Sequence, residues 1–288
     1  PKLVYHLEDL RVGMSYPSYY ISRLASKFVK VCLQGTGGDE LFGGYPWRYY
    51  KVFDSISQKD FFDQYYDFWQ RLVPDQEKEE LFTKQVFDKI DVKEPRRIFE
   101  RVFTFNDKLK YNNPEEHINN SLYFEIKTFL PGLFLVGDKL AMAHGLEERF
   151  PFMDNDLVDF AMKVPVKHKL GNLTDEIAKI NENETAEKKK SISYREFDDG
   201  KNVLRKAMSD FIPETIINRK KQGFSAPDES WYRGKNAEYV KDLLLSENTV
   251  SSKYINKDYI IKTVDEHINK GINHRLLFWS FMNFEWWC

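Results

Sequence analysis

The chain has 288 residues, a formal net charge of −2 and an aromatic content of 16%. This length allows one large or two medium domains, and the aromatic content excludes a disordered or low-complexity protein. The small net charge and the lack of any long uncharged apolar run give no reason to expect a nucleic acid or a membrane as a partner.

The first predicted unit is a helix, a strand and a glycine-rich loop. Residues 21–34, "ISRLASKFVKVCLQ", predict a short helix that runs into a buried strand in "VKVCLQ", because this apolar run is short, β-branched and ended by glycine. The loop "QGTGGDELFGGY", residues 34–45, follows, and a helical pattern restarts at Asp39.

From about residue 55 onward the sequence has a helical period, broken repeatedly by proline. Residues 171–200 are polar and rich in lysine, which predicts a loop or mobile insertion. We therefore divide the chain into residues 1–52, the remainder of an α/β nucleotide-binding unit, and residues 53–288, a helical region. The predicted fold class is mainly α with a small α/β part. Because one strand cannot form a sheet and the chain begins at Pro1 without an initiator Met, we expect a fragment of a longer protein.

The glycine-rich loop favours an anion as ligand. A strand, a glycine loop and a helix start direct backbone N–H groups at a phosphate, and an acid in such a loop is explained if Mg²⁺ bridges it to the phosphate. Asp39 is then a metal ligand; the alternative is a tight turn in which Asp39 caps the helix. Neither the dinucleotide fingerprint nor a G-x-x-x-x-G-K-(S/T) loop is present in the sequence.

Three ordered blocks of the sequence match the pattern of one known family. "VCLQGTGGDELFGGYPWRYY" is similar to that family's SG(D/E)GxDE-x-FGGY segment. Residues 129–165, "FLPGLFLVGDKLAMAHGLEERFPFMDNDLVDFAMKVP", are similar to its D-r-x-s-M-a-x-G-l-E-x-R-x-P-F-L-D segment. Residues 200–227, "GKNVLRKAMSDFIPETIINRKKQGFSAP", are similar to its G-K-x-x-L-R-x-A and R-x-K-x-g-F segments. The three blocks together resemble the asparagine synthetase (glutamine-hydrolysing) family.

The resemblance implies the C-terminal part of the synthetase domain, with a truncated ATP-pyrophosphatase-type (adenine nucleotide α-hydrolase-like) fold. It implies a cytoplasmic, ATP- and Mg²⁺-dependent ligase that adenylates the carboxylate of aspartate and lets glutamine-derived ammonia attack, forming asparagine. An N-terminal glutaminase domain and an SGGxDS pyrophosphate loop are missing here, so we expect this chain to be inactive alone. The partners implied are these small molecules and the missing portions of the same protein, and a homodimer is compatible with the resemblance.

The resemblance also implies the site residues. The cofactor-binding residues are those of the loop: Gln34, Gly35, Thr36, Gly37, Gly38, Asp39 and Glu40. Asp39 matches the family's Mg²⁺–pyrophosphate aspartate, and Lys221 in "NRKKQGF" matches its catalytic lysine. Without the family, the run Arg219–Lys221 is typical of a solvated basic face.

Other candidates keep two interpretations each. Asp138 either lines the acceptor pocket or caps a helix. Arg149 pairs with a buried carboxylate near the site or forms a structural ion pair. His267 and His274 lie two helical turns apart without a third ligand, which argues against a metal site.

The loop departs from the family pattern at two positions. Gln34 replaces the usual serine and Thr36 replaces the usual acid, which a hydroxyl cannot match as a cation ligand or proton acceptor. The alternatives to asparagine synthesis are therefore an amide ligase for another carboxylate and a non-catalytic nucleotide-binding module.

Overall fold

A computed structural model describes residues 1–10, 15–171, 200–219, 228–234 and 236–288. Lys221 and nearly all of the segment predicted to be a mobile loop, 171–200, lie outside these ranges. The described part of the chain is mostly helical with few strands, which confirms the coarse fold class. No helix in it combines the length and hydropathy needed to cross a bilayer.

Most described residues lie in short helices joined by turns. The strands are β1 (Val31–Leu33) and β2 (Glu147–Arg149). The α-helices are α1 (Lys2–Leu7), α2 (Tyr16–Ala25), α3 (Gly38–Phe42), α4 (Pro46–Tyr49), α5 (Gln58–Trp69), α6 (Lys78–Leu81), α7 (Lys84–Phe87), α8 (Glu94–Thr104), α9 (Pro114–Phe124), α10 (Leu130–Met142), α11 (Asn155–Lys163), α12 (Val166–Lys169), α13 (Asn202–Ala207), α14 (Glu214–Ile217), α15 (Asp228–Arg233), α16 (Ala237–Leu245), α17 (Lys257–Asn269) and α18 (Arg275–Trp287). Single 3₁₀ turns are formed by Tyr50–Val52, Asp75–Glu77, Pro151–Met153 and Ser251–Lys253, and Glu125–Phe129 is a π-helical turn.

Several helix starts follow from short polar side chains. Ser57 accepts a hydrogen bond from the N–H of Asp60 at the start of α5, and Asn113 accepts one from Glu116 at the start of α9. Such caps satisfy N–H groups that the helix itself leaves free. The Glu125–Phe129 turn then joins α9 to α10 without a break, and π turns of this kind are frequent at functional sites.

The two strands pair in parallel, with Val31 opposite Glu147 and Leu33 opposite Arg149. The expectation of a single strand is therefore wrong. β2 is three residues long and made of charged residues, so no alternation or apolar run marks it in the sequence. The expectation that β1 is buried is also wrong: Val31 is 51% exposed and Leu33 is 75% exposed, because no described layer covers them.

An aromatic core joins helices α5, α8 and α9. Its fully or nearly fully buried rings are Phe61, Phe62, Tyr65, Phe99, Phe103 and Phe124. The rings of Phe61 and Phe103 meet edge to face at 5.4 Å, and those of Phe103 and Phe124 stack at 5.3 Å. Burial of large aromatic side chains is the main apolar contribution to stability here.

A second core holds the C-terminal helices together. Val240, Leu244, Ile260, Val264 and Phe278 are buried between α16, α17 and α18. His267 is fully buried beside them: its Nδ1 accepts from the N–H of His274 at 3.0 Å, and its Nε2 lies 3.2 Å from the carbonyl of Glu229. Burial, followed by the charge of Arg233, lowers the pKa of His267 to about 4.

This pKa predicts an acid-sensitive C-terminal core. Below pH 6.5, His267 is protonated in the unfolded chain but stays neutral in the folded chain, because burial lowers its pKa to about 4. The stabilising contribution of His267 is therefore present at neutral pH and is lost as the pH falls toward 4. From pH 7.5 to pH 5 the native chain should lose about 2 kcal/mol of unfolding free energy relative to a His267→Gln variant. Urea unfolding at both pH values measures this difference. The exposed His168→Gln variant should keep the native pH dependence of the unfolding free energy. If the unfolding free energy of His267→Gln changed with pH as much as that of the native chain, the lowered pKa of His267 would be refuted.

Candidate active site

The glycine-rich loop leaves the carboxyl end of β1 and turns against the segment that follows β2. The N–H of Gln34 donates to the carbonyl of Arg149 at 2.8 Å, which extends the strand pairing by one bond. Gly37 has a φ of +99°, and a Cβ on it would lie 2.6 Å from the sulfur of Met153. A Cβ on Gly38 would lie 3.2 Å from the ring of Phe152. Gly37 is thus required by its left-handed backbone conformation, and both glycines leave room for the side chains on the protein side of the loop.

The other side of the loop start is open. No heavy atom of the described residues lies within 4 Å of a Cβ built on Gly35. Within the described ranges, the backbone N–H groups of Gly35, Thr36 and Gly37 have no hydrogen-bond acceptor. Successive free N–H groups in a loop of this kind form a concave site for an anion.

Asp39 lies in the first turn of α3, whose N-cap is Gly37. The helix-cap interpretation of Asp39 is therefore wrong. Its Oδ1 instead forms an ion pair with the Nζ of Lys201 at 2.8 Å, and both side chains are about one-quarter exposed. A Cβ on Gly44 would overlap the Asp39 carboxylate, so this glycine leaves the space in which the carboxylate lies.

Lys201 reaches Asp39 because the third block docks on the end of α3. The N–H of Lys201 donates to the carbonyl of Phe42 at 3.1 Å, and Arg205 Nε donates to the carbonyl of Gly200 at 3.1 Å. A Cβ on Gly200 would overlap the carbonyl of Gly43. Gly200 and Lys201 of the third block are therefore fixed against Gly43 and Gly44 of the first block.

A buried polar cluster lies beneath the loop. Glu40 is 1% exposed and accepts a hydrogen bond from the hydroxyl of Tyr45 at 3.0 Å. Glu125, on the π-helical turn, accepts from the hydroxyl of Tyr49 at 3.1 Å and pairs with Arg48 at 3.4 Å. Arg48 also lies 3.8 Å from the centre of the Tyr45 ring. Glu40 thus belongs to the packing beneath the loop rather than to its open face.

Burial dominates the electrostatics of this cluster. It raises the pKa of Glu125 to about 7, against the lowering effect of Arg48, and the charge of Glu40 raises it further. Burial likewise raises the pKa of Glu40, while the Tyr45 hydrogen bond lowers it. Two carboxyl groups share one buried guanidinium, so the second negative charge is poorly compensated near neutral pH.

A second polar contact joins the loop start to β2. Gln34 Nε2 donates to Glu148 Oε1 at 2.5 Å. Burial raises the pKa of Glu148, and so does the nearby charge of Asp138. Asp138 lies inside α10, so its interpretation as a helix cap is wrong.

Local contacts decide between the two interpretations of Arg149. It pairs with Glu147, and both side chains are about half exposed, so the structural ion pair is confirmed and the pairing with a buried carboxylate is wrong. Asp154 caps α11, where its Oδ1 accepts from the N–H groups of Asp156 and Leu157. His267 and His274 make protein hydrogen bonds, and the described residues contain no group of three or more metal-ligating side chains.

The fold therefore brings together the predicted loop residues, the segment after β2 and the start of the third block. Lys221 lies outside the described residues, so its expected position stays a prediction. Lys201 is the residue that sequence reasoning missed. Its signal was the glycine–lysine pair that opens the third block, directly before a helical pattern.

Comparison with known proteins identifies relatives along the whole chain. The sequence model of the asparagine synthase family matches residues 1–288. An asparagine synthetase (glutamine-hydrolyzing) of Bacillus subtilis is 26% identical over all of this chain and 45% of its own length. A second one of that organism is 24% identical over 86% of this chain and 36% of its own. An amidase of Gibberella zeae is 25% identical over 84% of this chain and 39% of its own. The chain thus spans less than half the length of these relatives.

A pH-dependent contribution of Glu125 follows from the cluster beneath the loop. Between the ordinary pKa of 4.5 and the folded value of about 7, folded Glu125 holds a proton that the unfolded chain has released. Its contribution is therefore present below pH 4.5 and lost as the pH rises through 7. From pH 5 to pH 8 the native chain should lose about 2–3 kcal/mol relative to Glu125→Gln, measured by urea unfolding. The exposed Glu247→Gln variant is the control and should keep the native pH dependence. If the unfolding free energies of Glu125→Gln and the native chain changed equally with pH, the raised pKa of Glu125 would be refuted.

The Asp39–Lys201 pair depends on Gly44. A Gly44→Ala substitution should displace the carboxylate and destabilise the protein by about 1–3 kcal/mol, whereas Gly35→Ala, with open space around it, should be nearly neutral. The destabilisation caused by Gly44→Ala should be smaller in a Lys201→Met variant, because the Asp39–Lys201 ion pair is already absent there. Full additivity in this double-mutant cycle, measured by thermal unfolding, would show that the two positions act independently.

Proposed function

Because this chain belongs to the asparagine synthase family, we propose that it is the C-terminal part of an ATP-dependent amide ligase of the asparagine synthetase type. The proposed reaction adenylates a carboxylate with ATP, releases pyrophosphate and forms an amide when glutamine-derived ammonia attacks. Aspartate is the proposed acceptor and asparagine the product.

One observation carries this proposal. The three sequence blocks that resemble the family are far apart in the chain, yet the fold brings them into contact at the glycine-rich loop. The N–H of Gln34 donates a hydrogen bond to the carbonyl of Arg149 in the second block. The carboxylate of Asp39 forms an ion pair at 2.8 Å with Lys201 of the third block. Free N–H groups, a carboxylate and an ammonium at one loop match the needs of a triphosphate whose pyrophosphate must leave.

The donor set fits Mg²⁺ bound together with phosphate. Mg²⁺ in nucleotide sites takes one or two carboxylates and completes its coordination with phosphate oxygens and water, so Asp39 suffices as the protein ligand. When bound, the ion neutralises charge on the leaving pyrophosphate. Lys201, released from Asp39, would then donate to a phosphate oxygen, since its Nζ already lies at the loop.

Two further roles complete the proposed site. The loop residues Gln34, Gly35, Thr36, Gly37 and Gly38 bind the nucleotide, with the free backbone N–H groups of Gly35, Thr36 and Gly37 as the main donors and Glu40 supporting the loop from below. Lys221, in the same block as Lys201, is the proposed catalytic lysine that stabilises negative charge during adenylation and attack.

The exposed strand pair suggests how the chain is completed. Parallel strands normally lie in sheets covered on both faces, but Val31 and Leu33 of β1 are exposed. We propose that β1 and β2 belong to a larger parallel sheet of the ATP-pyrophosphatase type, supplied with strands by polypeptide outside these 288 residues. Residues 1–52 are then the end of that α/β unit, and residues 53–288 its helical part.

A second candidate is an amide ligase for a different carboxylate. Thr36 stands where the resemblance implies an acid, and one relative is described as an amidase rather than an asparagine synthetase. The chemistry at the phosphates is the same in both candidates, so the acceptor distinguishes them.

The test is pyrophosphate release from MgATP by the full-length protein that contains this chain, with ammonia and with or without aspartate. Release should require aspartate and should fall at least about 100-fold in Asp39→Asn, Lys201→Met and Lys221→Ala. The exposed Lys206→Met variant should stay within about twofold of the native rate. The 288-residue chain alone should release none.

The outcomes separate the candidates. Release that needs a carboxylate other than aspartate would establish the second candidate. No release with any carboxylate, from a folded protein that binds ATP, would support the non-catalytic alternative and overturn the proposal.

A further inference from the structure

Lys201 has a backbone conformation that lysine rarely adopts. Its φ is +61° and its ψ is +32°, in the left-handed region that disfavours every side chain with a Cβ. Lys201 is also the N-cap of α13, a position where short polar residues with extended backbones are usual, and its side chain makes no cap. Because nothing in the local sequence favours this conformation, contacts from other parts of the fold must hold it.

The main chain is held on both sides of Lys201. Its N–H donates to the carbonyl of Phe42 at 3.1 Å, and its own carbonyl accepts from the N–H of Arg205 at 2.9 Å. The preceding residue, Gly200, is buried, and a Cβ on it would overlap the carbonyl of Gly43. The side chain of Arg205 adds a second contact, since its Nε donates to the carbonyl of Gly200 at 3.1 Å. Arg205 therefore bonds to the carbonyls of both Gly200 and Lys201.

The guanidinium of Arg205 is itself fixed by the end of α14. Its Nη1 donates to the carbonyl of Ile217 and, at 3.4 Å, to the carbonyl of Arg219. The last carbonyls of a helix have no partner within the helix, and a planar guanidinium can donate to several of them at once. Arg205 thus joins the end of α14 to the residue that precedes Lys201.

The left-handed conformation matters because it directs the Lys201 side chain at the loop. Lys201 Nζ lies 2.8 Å from Asp39 Oδ1. The N–H of Lys201 is docked on Phe42, so rotation about its N–Cα bond moves the side chain relative to the loop. If φ relaxed to a negative value, the ammonium group would swing away from Asp39.

We propose that Arg205 is a positioning residue for Lys201. Through the Gly200 carbonyl it holds the left-handed backbone at Lys201 and so keeps the ammonium group at the glycine-rich loop. The competing explanation is that Arg205 only caps the end of α14, while the docking of Gly200 on Gly43 fixes Lys201. The catalytic consequence rests on the proposed function, in which Lys201 donates to a phosphate oxygen, whereas the effect on the backbone does not.

Thermal unfolding of the 288-residue chain tests the backbone effect without any ligand. Lys201→Gly and Lys201→Met both remove the ion pair with Asp39, but only glycine adopts a positive φ without cost. Lys201→Gly should therefore unfold about 2–4 °C above Lys201→Met. In an Arg205→Lys background this difference should fall below about 1 °C, because one ammonium group cannot replace the planar fork that holds Gly200. A difference that is absent with Arg205, or that persists unchanged without it, would overturn the proposal.

Pyrophosphate release by the full-length protein that contains this chain tests the catalytic consequence. Arg205→Lys should lower kcat at least about tenfold and change the KM for MgATP less than about threefold, since the ammonium group acts most strongly on the leaving pyrophosphate. The same substitution at an exposed arginine of α8, Arg101→Lys, should stay within about twofold of the native rate.

A double-mutant cycle separates positioning from a purely structural role. In a Lys201→Met background, Arg205→Lys should lower kcat at most about twofold, because no ammonium group is left to be positioned. If Arg205 only stabilised the fold, the tenfold loss would recur in that background, and the positioning role would be refuted.

The two experiments also separate this proposal from the proposed function. If the full-length protein released no pyrophosphate, the unfolding temperatures would still decide whether Arg205 holds the backbone of Lys201. If pyrophosphate were released but the loss in Arg205→Lys did not depend on Lys201, the ligase activity would stand and the positioning role would not.

Discussion

The site depends on one steric constraint: among the residues that the structure describes, the glycine-rich loop packs against protein on one side only. Phe152 and Met153 press on Gly37 and Gly38, and the Asp39 carboxylate occupies the space that a side chain on Gly44 would fill. These contacts hold the loop in a conformation that only glycine allows at Gly37, whose φ is positive. The opposite side, at Gly35, stays open for a ligand. The glycines therefore shape the site mainly by admitting their protein neighbours.

The buried cluster beneath the loop supports this arrangement at a cost in stability. Arg48 compensates Glu125 and touches the Tyr45 ring, while Tyr45 holds Glu40. Burying two carboxylates around one guanidinium is less favourable than an apolar core of the same volume. The cluster fixes the orientation of its side chains, because each member contacts its neighbour through a hydrogen bond, an ion pair or a cation–π contact. A buried and charged support of this kind is typical of functional sites, where geometry matters more than stability.

The sequence predicts most of the helical part and the location of the loop, because long amphipathic periods and glycine clusters are local signals. The helical period that begins at about residue 55 is present in the structure as, for example, α5 and α9. It does not predict β2, whose three charged residues become a strand only through pairing with β1. It also misses Lys201, because the partner of a lysine is decided by how distant segments dock. The rejected alternatives, a helix cap for Asp39 and Asp138 and a buried partner for Arg149, have the same origin, since the sequence does not show which distant group a charged side chain will meet.

The proposed function requires that the loop and the third block act together to activate a carboxylate as its acyl-adenylate. The most direct measurement is oxygen transfer: the full-length protein is incubated with MgATP, ammonia and aspartate labelled with ¹⁸O in its side-chain carboxylate, and the AMP formed is examined by mass spectrometry. Adenylation of the carboxylate predicts one ¹⁸O atom in each AMP, because the oxygen that bonds to the α-phosphorus leaves with it. Amide formation with unlabelled AMP would contradict the account.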